Sequence, residues 1–442
     1  MASLIGFFSG AIYFALRGRA SALDRVSSFV LILTIWIVPP LVAAIPIMRT
    51  AGTDYVTGLF EAVSGYTTTG ASALESLEPI GLSGVFFRAQ LQWLGGLMTL
   101  ITIVTVIAPS GLGGLSGQQV ALVTSTDGRS TRLLGTLRQV TGAYLAVTLA
   151  CVVLLLASDL PPFDAICIAL STVSTGGFMP INGTFADYGS PFAEAVVAVF
   201  MLIGATSIVW HRMVWEGRWP LVRRHRESYW VIGVSILVGG LYAASFATSA
   251  GGETTLSALR DGLFTGISLV STTGFITRPE GLAAVGEPIV FLVALVGAGT
   301  ISTAGGLKYH RMGGLFTLCS QELQRLVYPH SVRRARFGGA PYSIERMKSI
   351  LSGIVVALLT VVAASLLIAT TEPAFDGALT AAIAAFSNIG PLYGPGWPGA
   401  DAWPPFADFG DTAKLVMAFT MILGRLEVLV LLGALNLSYW RS

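Results

Sequence analysis

Charge is scarce in this chain. Only 11% of its 442 residues are Asp, Glu, Lys or Arg, against about 25% in soluble domains. Water alone cannot be the solvent of such a sequence, 53% of which is hydrophobic. Cysteine is also sparse. Cys151, Cys167 and Cys319 are unevenly spaced and form no C-x-x-C pair, which gives neither a disulfide framework nor a zinc site and leaves three small buried hydrophobes. The four histidines, His211, His225, His310 and His330, fall on polar connections, and no H-E-x-x-H is present. An embedded enzyme, the remotest of the functions weighed, therefore lacks candidate chemistry. The glycines between Gly111 and Gly117 follow an apolar helix and miss the strand-then-G-x-G-x-x-G pattern, so no nucleotide site is expected on this chain. A net charge of +2 is too small to imply a nucleic-acid partner.

What the chain has instead is long apolar runs. Val26 to Ile47, Val85 to Ile107, Tyr229 to Phe246 and Ile350 to Ala369 approach the roughly 20 residues a helix needs to cross a bilayer. The expectation is an all-α polytopic membrane protein with lipid as its surroundings. Ser3 to Leu16 is shorter and is followed by Arg17 and Arg19, the wrong side of an apolar segment for a signal peptide, which points to a short or truncated first helix.

One unit recurs four times: a long apolar helix, a shorter half-apolar segment ending in a Thr/Ser/Gly cluster, and a second long helix. The clusters are Thr67-Thr68-Thr69-Gly70-Ala71, Ser174-Thr175-Gly176-Gly177-Phe178, Ser271-Thr272-Thr273-Gly274-Phe275 and Ser387-Asn388-Ile389-Gly390-Pro391. With Gly70, Gly176, Gly274 and Gly390 taken as equivalent, the spacings are 106, 98 and 116 residues. The units are drawn as an N-terminal helix and link over 1–25, repeat 1 over 26–108, repeat 2 with its link over 109–212, repeat 3 over 213–318 and repeat 4 over 319–442. The segments before the clusters, Asp54 to Tyr66, Phe163 to Val173, Leu256 to Val270 and Phe375 to Phe386, are too short to span and suit re-entrant helices. Irregular backbone at membrane depth survives only where protein buries it or it lines a watery cavity, so four pseudo-symmetric helix–pore loop–helix repeats can surround one central ion pathway. Repetition alone does not separate a channel from a carrier.

Charge partition supports this layout independently. The connections between units, with the chain ends, hold 20 of the 26 Lys and Arg, and the opposite side holds 17 of the 24 Asp and Glu. The basic connections are cytoplasmic by the positive-inside rule. An acidic outer mouth then concentrates cations.

A permeating cation must exchange its water shell for protein oxygens, which rings of backbone carbonyls at the ends of re-entrant helices supply. Glycine permits the dihedrals such a strand needs, Thr and Ser add hydroxyl oxygens, and the negative end of each short helix faces the ion. The expected ion-selective residues are Thr68, Thr69, Gly70, Ser174, Thr175, Gly176, Thr272, Thr273, Gly274, Asn388, Ile389 and Gly390, with the ion held at the Thr, Ser, Asn and Ile positions among them. Beyond these clusters stand Gln92-Trp93-Leu94-Gly95-Gly96, Ser302-Thr303-Ala304-Gly305-Gly306-Leu307-Lys308 and Gly424-Arg425-Leu426-Glu427.

On all of these motifs the chain resembles the Trk/Ktr/HKT superfamily of potassium transporters, from about Phe29 onward. The second and fourth clusters are closer to bacterial Trk members than to Ktr members. The resemblance implies potassium as the transported ion, because glycine in all four filters goes with potassium selectivity and serine in the first goes with sodium permeation. It further implies a homodimer in the bacterial inner membrane and a cytoplasmic ring of nucleotide-binding regulatory subunits supplied as a separate chain. A sodium-coupled or sodium-permeable relative is the alternative. The sequence departs from the family at Ile203-Gly204-Ala205-Thr206-Ser207 and at Gly297-Ala298-Gly299-Thr300.

The run from Pro288 to Leu318 contains Gly297, Gly299, Gly305 and Gly306, with Thr300, Ser302 and Thr303 between them and Lys308 after. Each glycine costs about 1 kcal/mol against Ala in a helix, so a break at membrane depth is expected, either a gate or a site of close helix packing. Arg425 lies inside the apolar run Leu415 to Leu435, where a charge is expensive and usually functional. It is expected, with Lys308, to place positive charge near the ion path, or else to pair with another helix. Glu427 is two residues on and faces elsewhere.

Overall fold

The computed structural model describes residues 25–104, 129–249, 255–278, 281–328, 336–337, 340–341, 344–372, 374–394, 396–397 and 399–426. The expected helix at Ser3 to Leu16, the glycines between Gly111 and Gly117, and Glu427 lie outside these residues.

Repeat 1 comprises α1 (Arg25–Ala51), the short α2 (Tyr55–Tyr66) and α3 (Gly81–Thr102). Asp54 starts α2 by accepting the Thr57 N–H at 3.0 Å, an N-cap that supplies a partner for one of the helix's four unbonded donors. Repeat 2 comprises α4 (Arg129–Leu156), short α5 (Pro162–Val173), and an exit helix in two pieces, α6 (Pro191–Ala205) and α7 (Ile208–Trp215), which meet at a bend of 103°. α8 (Trp219–Arg224) leads to repeat 3, with α9 (Arg226–Ser249), short α10 (Thr255–Val270), α11 (Glu287–Val296) and α12 (Tyr309–Val327). Repeat 4 comprises α13 (Ile344–Ile368), short α14 (Phe375–Ser387) and α15 (Asp411–Leu426). The one exception to the helical expectation among the described residues is a two-residue antiparallel pair, β1 (Arg336–Phe337) with β2 (Ala340–Pro341). The opening helix of every repeat contains an apolar stretch long enough to span: Leu31–Ala51, Leu137–Leu156, Arg226–Thr248 and Met347–Ile368.

Three of the short helices have the expected length, while α10 is longer, at 16 residues. Helix α12 continues to Val327, past the boundary drawn at 318. The break expected in the third exit helix occupies residues 297–308, between α11 and α12. The break between α6 and α7 was not expected, although it falls at Thr206-Ser207, inside the stretch that departs from the family.

Packing joins these pieces into a cycle. Each opening helix packs on its own short helix: α1 on α2, α4 on α5, α9 on α10 and α13 on α14. Each exit helix packs on the short helix of the following repeat: α3 on α5, α6 on α10, α11 on α14, and α15 back on α2. The fourth of these contacts closes the ring.

The closest helix pair is α9 with α10, whose backbones meet at glycine. A Cβ on Gly266 would lie 2.3 Å from the Gly239 nitrogen, and one on Gly262 would lie 2.3 Å from the Ala243 nitrogen. Small residues permit such approach in lipid, where packing rather than water exclusion drives association. Gly266→Val should therefore push α10 off α9 and lower the melting temperature of the detergent-purified protein, whereas Gly233→Val, where a Cβ meets nothing within 4 Å, should leave it unchanged.

Candidate functional site

The four short helices end in one and the same turn. In repeat 1 the Thr69 N–H bonds Ser64 O at 2.8 Å and the Thr68 N–H bonds Gly65 O at 3.0 Å. The same pair of bonds recurs as Gly176 to Ser171 (2.8 Å) with Thr175 to Thr172 (3.0 Å), Thr273 to Ser268 (3.0 Å) with Thr272 to Leu269 (3.0 Å), and Ile389 to Ala384 (2.9 Å) with Asn388 to Ala385 (3.3 Å). This is the Schellman helix ending, which provides partners for carbonyls that no further helical turn will cover. It requires a left-handed residue, and Thr68, Thr175, Thr272 and Asn388 all have φ between 53° and 57°. Asn tolerates that conformation, but a β-branched residue there is a true outlier. Such strain persists only where the surroundings over-determine it, typically at functional sites.

These turns correct the alignment of repeat 2. The residue two after the left-handed position is Gly70, Gly177, Gly274 and Gly390, so Gly177, with φ 82°, takes the place given to Gly176, and the left-handed positions are 107, 97 and 116 residues apart. Two adjacent glycines hid the one-residue shift. Ser174 is likewise the residue before the turn; its carbonyl accepts the Thr175 hydroxyl at 2.7 Å.

The four turns touch in order. A Cβ on Gly70 would lie 2.2 Å from Gly176 O, one on Gly177 2.1 Å from Thr273 O, one on Gly274 2.8 Å from Pro391, and one on Gly390 2.1 Å from the Ala71 nitrogen. The Gly390 N–H also donates to Thr69 O at 2.6 Å. Glycine is required at this level because neighbouring backbones occupy the space a side chain would take. Several polar side chains at this level bond within the protein. Thr69 Oγ1 pairs with Thr67 Oγ1 at 2.7 Å, Thr273 Oγ1 with Ser271 Oγ at 2.8 Å, and Asn388 Nδ2 reaches Thr69 Oγ1 at 3.0 Å and Met421 O at 3.0 Å. Thr68 Oγ1 and Asn388 Oδ1 are buried with no hydrogen-bond partner among the described residues.

Segment 297–308 lies against the turns of repeats 2, 3 and 4. Thr303 Oγ1 bonds Gly204 O at 3.0 Å and lies 3.3 Å from Thr175 Oγ1; the Gly305 N–H donates to Thr272 Oγ1 at 2.7 Å. A Cβ on Gly305 would lie 2.0 Å from Ser387 O. Gly297, with φ 67°, and Gly306, with φ 76°, allow the chain to leave and rejoin the helix axis. Arg425 completes the contact with repeat 1, donating from Nε to Thr67 O (2.5 Å) and from Nη1 to Thr303 O (2.5 Å) and Ala304 O (3.1 Å). Lys308 Nζ also donates to Ala304 O. Among the described residues the partners of Arg425 are carbonyls rather than a carboxylate.

A family model described as "TrkH: Cation transport protein" matches residues 6–217 and 256–435. The chain belongs to this family. The Trk system potassium uptake protein TrkH of Salmonella typhimurium is 28% identical over 434 residues, covering 96% of this chain and 88% of that protein. TrkG of Escherichia coli K12, also named as a Trk system potassium uptake protein, is 26% identical over 452 residues, covering 99% and 91%. The crystal structure of the potassium transporter TrkH from Vibrio parahaemolyticus superposes with a TM-score of 0.83 at 26% identity, over 98% of this chain and 90% of that one.

This TrkH-family fold also uses residues to which sequence reasoning gave no role. Gln92, in the motif Gln92-Trp93-Leu94-Gly95-Gly96, donates to Gly176 O at 2.7 Å and accepts the Phe178 N–H at 3.3 Å, while a Cβ on Gly95 would lie 1.8 Å from Tyr66 O. One turn above Gln92, Arg88 forms a buried ion pair with Glu61 at 3.0 Å. Glu61 Oε1 accepts the Ala73 N–H at 2.5 Å and the Ser72 hydroxyl at 2.8 Å, and the Arg88 guanidinium lies 3.9 Å over the Phe178 ring. One charge pair thus holds the chain leaving the first turn and touches the chain leaving the second. The signal in the sequence was a Glu in the half-apolar segment Asp54 to Tyr66 and an Arg in the apolar run Val85 to Ile107, 27 residues apart, which has no meaning before the fold is known.

Arg88→Ala should leave the Glu61 carboxylate buried and unpaired, lowering stability by about 3 kcal/mol, seen as earlier thermal loss of monodisperse protein. Gly177→Ala should abolish ion uptake in reconstituted vesicles, because its Cβ meets backbone rather than a flexible side chain.

Proposed function

We propose that the chain is the membrane subunit of a Trk-type potassium uptake system and conducts potassium through the centre of the four-turn ring. The observation that carries this reading is the state of four equivalent carbonyls. Among the described residues those of Thr68, Thr175, Thr272 and Asn388 accept no hydrogen bond, although all four residues are fully buried. Unsatisfied buried carbonyls are costly, and a dehydrated cation is the partner that repays the cost. The filter is then Thr68-Thr69-Gly70, Thr175-Gly176-Gly177, Thr272-Thr273-Gly274 and Asn388-Ile389-Gly390, with the negative ends of four short helices directed at it.

Segment 297–308 is the gate in this reading, because it leaves the helix beside the four clusters and rests on them through hydrogen bonds that can be exchanged. Arg425 and Lys308, converging on Ala304, put positive charge beside it and raise the barrier to a cation. The repeat boundaries at 26–108, 109–212, 213–318 and 319–442 stand as proposed units. The names of the relatives support potassium uptake; a bacterial inner membrane, a second copy of the chain as partner, and a separate cytoplasmic nucleotide-binding subunit that moves the gate belong to this reading through the resemblance to Trk members. A sodium-coupled or sodium-permeable member of the same superfamily is the competing reading.

Rubidium flux into vesicles of the purified chain tests the assignment. Uptake that resists excess external sodium is expected for the wild type. In Gly70→Ser the added side chain displaces Gly176 O, so uptake should fall and sodium should compete; equal competition in both proteins would defeat the potassium assignment. Arg425→Ala should pass rubidium faster, and loss of the folded protein would make Arg425 a structural residue instead.

A further inference from the structure

The intramembrane segment has a second set of anchors, outside the ion path. Thr300 directs its N–H (2.6 Å) and its hydroxyl at Oε1 of Glu227, in the first turn of α9. Thr300 Oγ1 also lies 2.8 Å from Nδ1 of His310, in the first turn of α12. The single hydroxyl proton goes to the carboxylate, so His310 Nδ1–H is the donor in that second bond. Beside these, the segment is stitched to the break between α6 and α7: Gly299 N–H to Ala205 O (2.9 Å), Thr303 N–H to Gly204 O (3.1 Å), and Ile208 N–H to Ile301 O (2.9 Å). Two broken exit helices therefore complete one another's backbone bonding. Thr300 and His310 are buried, whereas Glu227 is half-buried. It follows directly on the connection that carries Arg212, Arg218, Arg223 and Arg226, on the face that charge partition assigns to the cytoplasm.

We propose that Glu227 is a positioning residue for the gate. Its carboxylate, acting through Thr300, holds segment 297–308 beneath the filter, and a displacement of the first turn of α9 that parts these two bonds frees the segment. The inference rests on the reading of that segment as the gate. A carboxylate suits the role because both bonds end on one charged oxygen, and hydrogen bonds to a charged group are about twice as strong as neutral ones. Both are present with the segment against the filter, so they stabilise that arrangement over any in which they are parted.

Rubidium flux in vesicles, with sodium competition measured in parallel, tests this on Glu227→Ala, Glu227→Gln, Thr300→Val and the Glu227→Ala/Thr300→Val double variant. Glu227→Ala should raise flux at least about tenfold, the effect of losing a single charge-assisted hydrogen bond, since it removes two. Thr300→Val, which keeps the N–H, should raise it less, and the double variant should not exceed Glu227→Ala, because both changes remove one interaction. Glu227→Gln, whose amide oxygen accepts the same two bonds without the charge, should raise flux clearly less than Glu227→Ala, and sodium competition should be the same throughout. Wild-type flux in Glu227→Ala, a fall in flux from monodisperse protein, or a rise in Glu227→Gln as large as in Glu227→Ala would overturn the proposal. Where Glu227→Ala is not recovered folded, Thr300→Val decides by the same criteria. Thr303→Val serves as the control on the filter side. If it alters flux while the Glu227 variants do not, the gate stands and Glu227 is not its holder; if neither does, the gate reading has failed first.

Discussion

A helix that stops halfway through a bilayer leaves carbonyls and amides where there is no water to receive them. Everything at the centre of this molecule follows from how that problem is solved four times. A Schellman turn satisfies the last carbonyls of each short helix, at the cost of a left-handed residue that is threonine in three of the four copies. The turn reverses the chain without an outward loop, and the strand that leaves it lies against the next copy, closely enough that only glycine fits. Strain in the turn and absence of side chains beyond it are two sides of one requirement, namely that backbone atoms of four segments share one small volume.

The same requirement explains segment 297–308. Once residues 297–308 leave the helix, their amides and carbonyls need partners, and they find them on the broken exit helix of repeat 2, on the hydroxyls of the filter threonines and on Arg425. A guanidinium serves well because its several donors lie in one plane and reach carbonyls of two different segments. Among the described residues its partners are carbonyls rather than a carboxylate, so the group that clasps the segment also brings it a positive charge.

Much of this was legible in the sequence because apolar length and glycine clustering are local. The short helices, the break at 297–308 and the four Thr/Ser/Gly clusters follow from runs of residues read in place. The repeat 2 register did not, since Gly176 and Gly177 are equivalent to a pattern reader and differ only in which one meets Thr273 across the ring. The bend after Ala205 was equally hidden, because its backbone bonds end on a segment nearly a hundred residues later. Arg88 with Glu61, and Glu227 with Thr300, are pairings between distant segments; a lone charge in a half-apolar stretch announces a cost but not the partner that offsets it.

The closing contact of the ring joins Gly390 to Thr69, and α15 to α2, near opposite ends of the chain. Synthesis proceeds from the N-terminus, so three turns exist for some time with one side of their ring open. Only when the last repeat has entered the bilayer does Thr69 O acquire its donor. The ring of turns is thus completed only when nearly all of the protein has been made, and the first repeat waits on the last for its final bonding.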